Sequence, residues 1–175
     1  MMAAQLGAEI ELGENHVSIA GTDGEPRTRE GVLTPMESGL GARLFAPIAG
    51  LASPPIQMAA EGSLRGRPMH EVIEAFQALG GKLEGTDGTF PLSFETAITG
   101  GKVQLDGSVS SQFLTGLLMA LPCASNDSIV EVHDLVSKPY VSMTLEILED
   151  FGIEIEFDES LTTFYIRGGQ HYQAI

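Results

Sequence analysis

The chain has 175 residues, 43% of them hydrophobic, which is typical of one good-sized globular domain or two small ones rather than of a disordered segment. Its formal net charge of −15, with only nine Lys and Arg residues, excludes a nucleic-acid-binding surface built from clustered cations. The single cysteine, Cys123, cannot form an internal disulfide, so nothing indicates secretion, and a reducing cytoplasm is the expected location.

No signal peptide and no membrane span are expected. The first residues contain neither a basic region nor a long apolar core. The apolar stretches near residues 44–56 and 113–124 contain prolines and are shorter than the roughly 18 residues that a membrane-spanning helix requires.

Three segments of the chain share one pattern: a helix end, a glycine, a short strand, a polar turn and a second strand. Their glycines, Gly7, Gly80 and Gly152, are 73 and 72 residues apart. Glycine is favoured there because a helix commonly ends on a residue in the left-handed conformation. The pattern therefore predicts a structural repeat of about 72 residues.

Further landmarks recur at the same spacing between the glycines: Ser38 matches Ser110, and Pro68 matches Pro139. The sequence thus predicts an α/β (α+β) fold of repeated βαβαββ units. We expect a hairpin remnant over residues 1–22 and full units over 23–95 and 96–175. On this interpretation the chain opens with the tail of a unit and is a fragment.

Two kinds of helix are predicted within each unit. The helices after Pro68 and Pro139 are expected to be amphipathic and to lie on a surface. Their predicted apolar faces are Val72, Ile73, Phe76 and Leu79 in the first, and Met143, Ile147, Leu148 and Phe151 in the second. The helices beginning near Ser38 and Ser111 are apolar almost all round, which predicts burial at the centre: Leu40, Leu44, Phe45, Ile48 and Leu51 in the first, and Phe113, Leu114, Leu117, Leu118 and Leu121 in the second.

The stretch GSVSSQFLTGLLM sets Ser108, Ser110, Ser111 and Gln112 at the start of a buried helix. The first helical turn has unpaired N–H groups and partial positive charge, so these side chains could hold a phosphate or carboxylate together with the backbone. Simple capping of the helix is the alternative, and it explains one serine more readily than the whole group.

Three cations are candidates for the same anion. Arg67 and Lys138 stand just before the two prolines, where a helix start disfavours a cation unless an anion lies nearby. Arg43, inside a mostly apolar helix, requires a partner, which could be a substrate or Glu37. The histidines show no metal-ligand spacing, and Cys123 has no neighbouring base.

Two long motifs carry a family resemblance. LDGSVSSQFLTGLLMALP (residues 105–122) and DLVSKPYVSMTLEILEDFGIEIE (residues 134–156) resemble the 5-enolpyruvylshikimate-3-phosphate synthase family, over a chain well under half the usual family length. The resemblance implies one lobe of the enolpyruvyl transferase fold, in which each of two lobes has three βαβαββ units and buried parallel helices point their N-termini at a shared cleft. It also implies transfer of the enolpyruvyl group of phosphoenolpyruvate onto shikimate 3-phosphate, without a metal or organic cofactor.

The resemblance implies the following site. Ser110, Ser111, Gln112, Ser137 and Tyr140 would bind shikimate 3-phosphate, while Arg67, Gln112 and Gly39 would bind phosphoenolpyruvate, with Arg43 and Lys138 in support. Gly39 and Arg43 match a family motif written Asn-Ala-Gly-Thr-x-x-Arg, but Glu37 and Leu40 replace its Asn and Thr.

No catalytic residue is expected within the chain, because the acid, the base and an upstream Lys-Ser loop of the family would lie outside it. The partners are then the two substrates and a second lobe, and the isolated chain is predicted to be inactive. Two other functions stay open at this point: the lobe of an enolpyruvyl transferase acting on a UDP-sugar, and a non-catalytic binding module that has kept the fold.

Overall fold

The computed structural model describes residues 2–108 and 111–174. The helices are α1 (Met2–Gln5), α2 (Gly39–Ala49), α3 (His70–Ala78), α4 (Ser111–Ala120) and α5 (Lys138–Asp150), with 3₁₀ helices at Gly62–Gly66 and Leu121–Cys123. The strands are β1 (Glu9–Leu12), β2 (Val17–Ala20), β3 (Val32–Met36), β4 (Ile56–Ala60), β5 (Lys82–Thr86), β6 (Thr89–Thr96), β7 (Lys102–Asp106), β8 (Ser128–His133), β9 (Ile155–Phe157) and β10 (Thr163–Ile166). Within these residues, no helix has the length and apolar character needed to cross a membrane.

The two predicted units have the same sheet topology. One sheet has the strand order β3-β4-β6-β5 and the other β7-β8-β10-β9. In each, the first two strands are parallel and the hairpin that follows adds two antiparallel strands. The element order of both units is therefore βαβαββ, which confirms the predicted fold class. The division of the chain at residues 22/23 and 95/96 stays a prediction.

The three repeat glycines end helices in the same way. Gly7, Gly80 and Gly152 have φ angles of +103°, +79° and +77°. At the end of α3, the Gly81 N–H donates to the Phe76 carbonyl at 2.9 Å, and the Gly80 N–H donates to the Gln77 carbonyl at 3.2 Å. This pair of bonds is the Schellman pattern. The same pair of bonds recurs at Gly7 and at Gly152. Each glycine therefore turns the chain from a helix into a hairpin.

Helices α2 and α4 pack against each other through small groups. A Cβ built on Gly116 would lie 2.5 Å from the Leu44 carbonyl oxygen and 3.1 Å from that of Arg43, so the two backbones approach closely. The predicted burial of α4 is confirmed. On α2 the prediction is partly wrong: its fully buried residues are Ala42, Ala46, Pro47 and Ala49, while Leu40 is 53% exposed. Small residues face the partner because only they permit the close approach.

The two surface helices differ in how well their patterns predicted the buried face. On α3, Val72, Phe76 and the following Leu79 are buried as expected. On α5 the expected face is wrong in part, because Met143 and Ile147 are half exposed. The buried residues of α5 are Val141, Thr144, Leu145 and Leu148.

Pro68 and Pro139, which match in the sequence repeat, have different positions relative to their helices. Pro139 lies in the first turn of α5, where its missing N–H has no partner to lose. Pro68 lies before α3 begins at His70, and a 3₁₀ helix that the sequence did not predict, Gly62–Gly66, precedes it. Arg67 therefore has an extended backbone (φ −78°, ψ 128°), as expected for a residue before proline, rather than opening a helix.

Candidate active-site face

Four helices start from the carboxyl ends of parallel strands. In the first unit α2 follows β3 and α3 follows β4, and in the second α4 follows β7 and α5 follows β8. Parallel strands end at one edge of a sheet, and ligands of such sheets bind outside that edge, where helix N-termini also point. The polar residues at these four junctions are therefore the candidate site.

Two arginines converge on one glycine at the start of α2. A Cβ built on Gly39 would lie 2.8 Å from Arg67 Nη1 and 3.3 Å from Arg43 Nη1. Arg43 is one helical turn after Gly39, and side chains on a helix lean toward its N-terminus, so the Arg43 guanidinium reaches back over the glycine. Arg67 arrives from the extended segment before Pro68. Glycine leaves room for both cations.

These guanidinium groups have no carboxylate partner within the described part of the chain. Neither Arg43 nor Arg67 has a carboxylate within 4.0 Å there. Burial, and then the neighbouring positive charge of Arg67, lower the pKa of Arg43, while Glu71 partly offsets this. Two like charges side by side, which Glu71 offsets only in part, are unfavourable unless an anion joins them, so the arrangement fits an anionic ligand.

Glu37, the alternative partner of Arg43, is engaged elsewhere. Its Oε2 accepts a hydrogen bond of 3.4 Å from the Ser63 N–H, at the start of the 3₁₀ helix, and its carboxylate lies directly against Gly62. The other departure from the family motif, Leu40, is a half-exposed apolar side chain at the start of α2. Neither residue provides the neutral amide or hydroxyl found in the motif.

Two acidic residues that the sequence did not single out lie at this face. Burial raises the pKa of Glu71, Asp106 raises it further, and Arg43 opposes the rise. Asp106, at the end of β7, accepts hydrogen bonds from the Ser108 N–H at 2.9 Å and from Ser108 Oγ at 2.5 Å, which lower its pKa. An Asp followed two residues later by Ser at a strand end is a turn signal that could have identified this pair.

Ser108 therefore stabilises the turn after β7, and its hydroxyl donates its hydrogen bond to Asp106. Asp106 stands opposite His133, the last residue of β8, and the next residue, Gly107, donates its N–H to the His133 carbonyl at 2.7 Å. This bond holds the chain entering α4 beside the chain entering α5. The two helix starts of the second unit are thus adjacent.

Contacts one turn into α4 and α5 place their first turns at the same level. The hydroxyls of Thr115 and Thr144 are 3.5 Å apart, and Thr144 Oγ1 donates to the Tyr140 carbonyl at 2.8 Å. Ser111 precedes Thr115 by four residues, as Tyr140 precedes Thr144. Since both helices start from the same edge of the sheet, Ser111 and Tyr140 lie one turn before this contact, toward that edge.

The other residues predicted to bind substrate, apart from Ser110, are at least partly accessible to solvent. Ser111 and Ser137 are half-buried, while Gln112, Lys138 and Tyr140 are exposed. Ser137 stands at the N-cap of α5 without a capping bond from its side chain, whereas Ser38 caps α2 by accepting from the Gly41 N–H at 3.0 Å. Simple capping thus accounts for Ser38. Ser110 lies outside the described residues.

The structure brings Gly39, Arg43 and Arg67 together, and it places Ser111 and Tyr140 at the starts of the adjacent helices α4 and α5. In the part of the chain that the structure describes, no hydrogen bond or ion pair joins these two groups. Two surface cavities of about 550 and 540 Å³ are lined by other residues. Among the described residues, no group of three His, Cys, Asp or Glu side chains is placed to hold a metal ion.

Comparison with known proteins identifies close relatives of this sequence. The chain is 40% identical over 154 residues to a 3-phosphoshikimate 1-carboxyvinyltransferase of Methanocella arvoryzae, which covers 86% of this chain and 36% of the relative. It is 38% identical over 178 residues to the enzyme of the same name from Escherichia coli, covering 98% of this chain and 41% of the relative. The chain therefore spans about two fifths of the length of these relatives.

The fold has solved counterparts. A structure of EPSP synthase from Acinetobacter baumannii is similar with a TM-score of 0.80 and 21% identity, over 98% of this chain and 38% of that one. The sequence model of EPSP synthase (3-phosphoshikimate 1-carboxyvinyltransferase) matches residues 2–175. On this match and the shared lobe architecture, the chain belongs to the EPSP synthase family.

Proposed function

We propose that this chain is the substrate-binding part of a transferase that moves the enolpyruvyl group of phosphoenolpyruvate onto shikimate 3-phosphate, as the names of its relatives indicate. The observation that carries the proposal is the pair of guanidinium groups, Arg43 and Arg67, that meet over Gly39 without a carboxylate partner among the described residues. Their planar donors suit a carboxylate or phosphate, and phosphoenolpyruvate carries both.

The two substrates would occupy neighbouring parts of the face. Arg67, Gly39 and Gln112 would hold phosphoenolpyruvate, with Arg43 in support. Ser110, Ser111, Gln112, Ser137 and Tyr140 would hold shikimate 3-phosphate, the serines with Lys138 on the phosphate side and the Tyr140 ring along the sugar-like acid. The half-buried Ser111 supports this assignment, because its hydroxyl lies at the start of α4, the positive end of the helix dipole.

The residues of this face bind and orient the two substrates and transfer no proton. Both substrates are anions, so bringing them together requires cations and helix ends to offset their repulsion. Addition of the 5-hydroxyl to the vinyl group and loss of phosphate need an acid and a base. We assign the acid and the base to a second lobe, which would be the partner of this chain. We also place the protein in the cytoplasm.

Shikimate 3-phosphate is expected to stabilise the purified chain against heating. At a ligand concentration ten times Kd, mass action gives about 1.4 kcal/mol, a rise in Tm of about 3–6 °C for a chain of this size. Ser111→Ala should reduce the affinity about 10- to 100-fold, because a hydrogen bond to a charged phosphate is lost, and the rise should fall to about 2 °C or less at the same concentration. Differential scanning fluorimetry measures both.

The matched control for this experiment is Ser18→Ala, on the exposed face of the β1–β2 hairpin, which should leave the rise unchanged. UDP-N-acetylglucosamine, the ligand expected for the other kind of enolpyruvyl transferase, should give no rise. A rise with the UDP-sugar and none with shikimate 3-phosphate would refute the substrate assignment.

The chain alone is expected to release no phosphate from a mixture of phosphoenolpyruvate and shikimate 3-phosphate. The reason is that its binding face supplies orientation without a paired acid and base. A coupled phosphate-release assay tests this, with a full-length relative as the positive control. Turnover above the no-protein background would show that the chain contains the complete catalytic machinery.

A further inference from the structure

A groove of about 540 Å³ lies between α5 and β9, away from the proposed substrate face. Leu145 contributes to its apolar lining from the helix, and Ile155 and Phe157 do so from the strand. Phe157 is 48% exposed, so its ring adds accessible apolar surface to the groove lining.

The groove exists because the two units differ at one repeat position. In the first unit α3 covers β5 at Gly85, where an added Cβ would lie 3.2 Å from Ile73 Cδ1 and 2.7 Å from the Thr89 carbonyl. The residue 72 positions after Gly85 is Phe157, and the residue 72 positions after Ile73 is Leu145. A phenylalanine cannot fit where glycine allows helix and strand to touch, so in the second unit the space between them stays open.

Carboxylates surround the apolar lining. Glu146 and Glu149 line the groove from α5, and Glu154 and Glu156 line it from the strand edge, while no Lys or Arg does. Within the described residues, none of the four has a cation within 4.0 Å. Glu154 and Glu156 also border a second cavity that contains Arg167 and His171, so the two helix glutamates are the clearer test of charge.

We propose that this groove binds a basic amphipathic peptide segment of another protein, whose apolar side chains contact Phe157 and Leu145 while its Lys or Arg side chains contact Glu146 and Glu149. Charge selects this occupant. A second copy of the chain would bring another net charge of −15 to an already acidic rim, whereas a cationic segment complements it. The combination of an apolar lining and a charged rim matches the helix-in-groove mode of peptide recognition.

The groove is separate from the substrate face along α5. Glu146 and Glu149 follow Tyr140 by six and nine residues, about 9 and 14 Å along the helix axis. Peptide binding is therefore expected whether or not shikimate 3-phosphate is present, and its test does not depend on the transferase proposal.

The experiment measures binding of a short fluorescein-labelled peptide of leucine and lysine, with the leucines on one helical face, by fluorescence anisotropy at physiological salt. Replacing both helix glutamates (Glu146→Gln with Glu149→Gln) should weaken binding about fivefold or more, as expected for the loss of two rim charge pairs. Phe157→Ala should weaken it about tenfold, because apolar contact area is lost.

The matched control is Glu9→Gln with Glu11→Gln, which makes the same change of net charge on the exposed β1–β2 hairpin and should leave the affinity within about twofold. Equal weakening by the two double variants would show a non-specific attraction to an acidic protein and would overturn the proposal. So would unchanged affinity in Phe157→Ala, the absence of any binding, or dimerisation of the chain that occupies the groove.

Discussion

Phe76→Ala is expected to lower the free energy of unfolding by about 3–5 kcal/mol, the range for truncation of a fully buried phenylalanine. Phe76 on α3 is 0% exposed, and its ring meets that of Phe94 on β6 edge to face, with centroids 5.5 Å apart. It also covers the end of α2, since a Cβ on Gly50 would lie 2.6 Å from the Phe76 ring. One ring thus joins two helices to the sheet of the first unit.

The matched control for Phe76→Ala is Phe157→Ala. Phe157 is half exposed, and its ring lies 6.4 Å from that of Phe164, so its loss should reduce the free energy of unfolding by about 1 kcal/mol or less. Urea unfolding measures both variants, with the midpoint moving at constant m-value. Similar midpoints for the two variants would contradict the observed packing of the first unit.

Gly116→Val should destabilise the chain by about 3 kcal/mol and should also abolish any stabilisation by phosphoenolpyruvate, whose proposed contacts lie on both α2 and α4. Its Cβ would lie 2.5 Å from the Leu44 carbonyl oxygen, and a backbone atom can give way only if α2 and α4 separate. Separation moves Gly39 and Arg43 on α2 away from Gln112 on α4, the residue assigned to the same ligand. The loss of ligand response is the part of the result that links the helix contact to the site.

The control for this variant adds the same side chain where space is available. No heavy atom lies within 4 Å of a Cβ built on Gly66, at the end of the 3₁₀ helix, so Gly66→Val should change stability by no more than about 0.5 kcal/mol and leave the ligand response intact. Chemical unfolding and thermal shift are measured on both variants. Wild-type stability of Gly116→Val would mean that α2 and α4 do not touch at this point.

The sequence alone determined the repeat, because the signals that define it are local. Gly7, Gly80 and Gly152 end helices through their own backbone freedom, and the hairpin after each depends on short-range turns. The βαβαββ order, the surface position of α3 and the burial of α4 follow from the spacing of apolar residues within single segments. The family motifs then predicted which polar residues would bind the two substrates.

The tertiary structure decided what depends on neighbours distant in the sequence. The meeting of Arg43 with Arg67 over Gly39 requires two segments that their own sequence patterns do not relate, and the role of Asp106 beside Glu71 is set by the packing of one unit on the next.

The buried face of α5 was wrongly predicted for the same reason. Its sequence offers two apolar stripes, and only the contact with α4, which includes Thr144, selects the one that leaves Met143 and Ile147 exposed. Periodicity reports how apolar a face is, whereas burial depends on whether another part of the chain covers it.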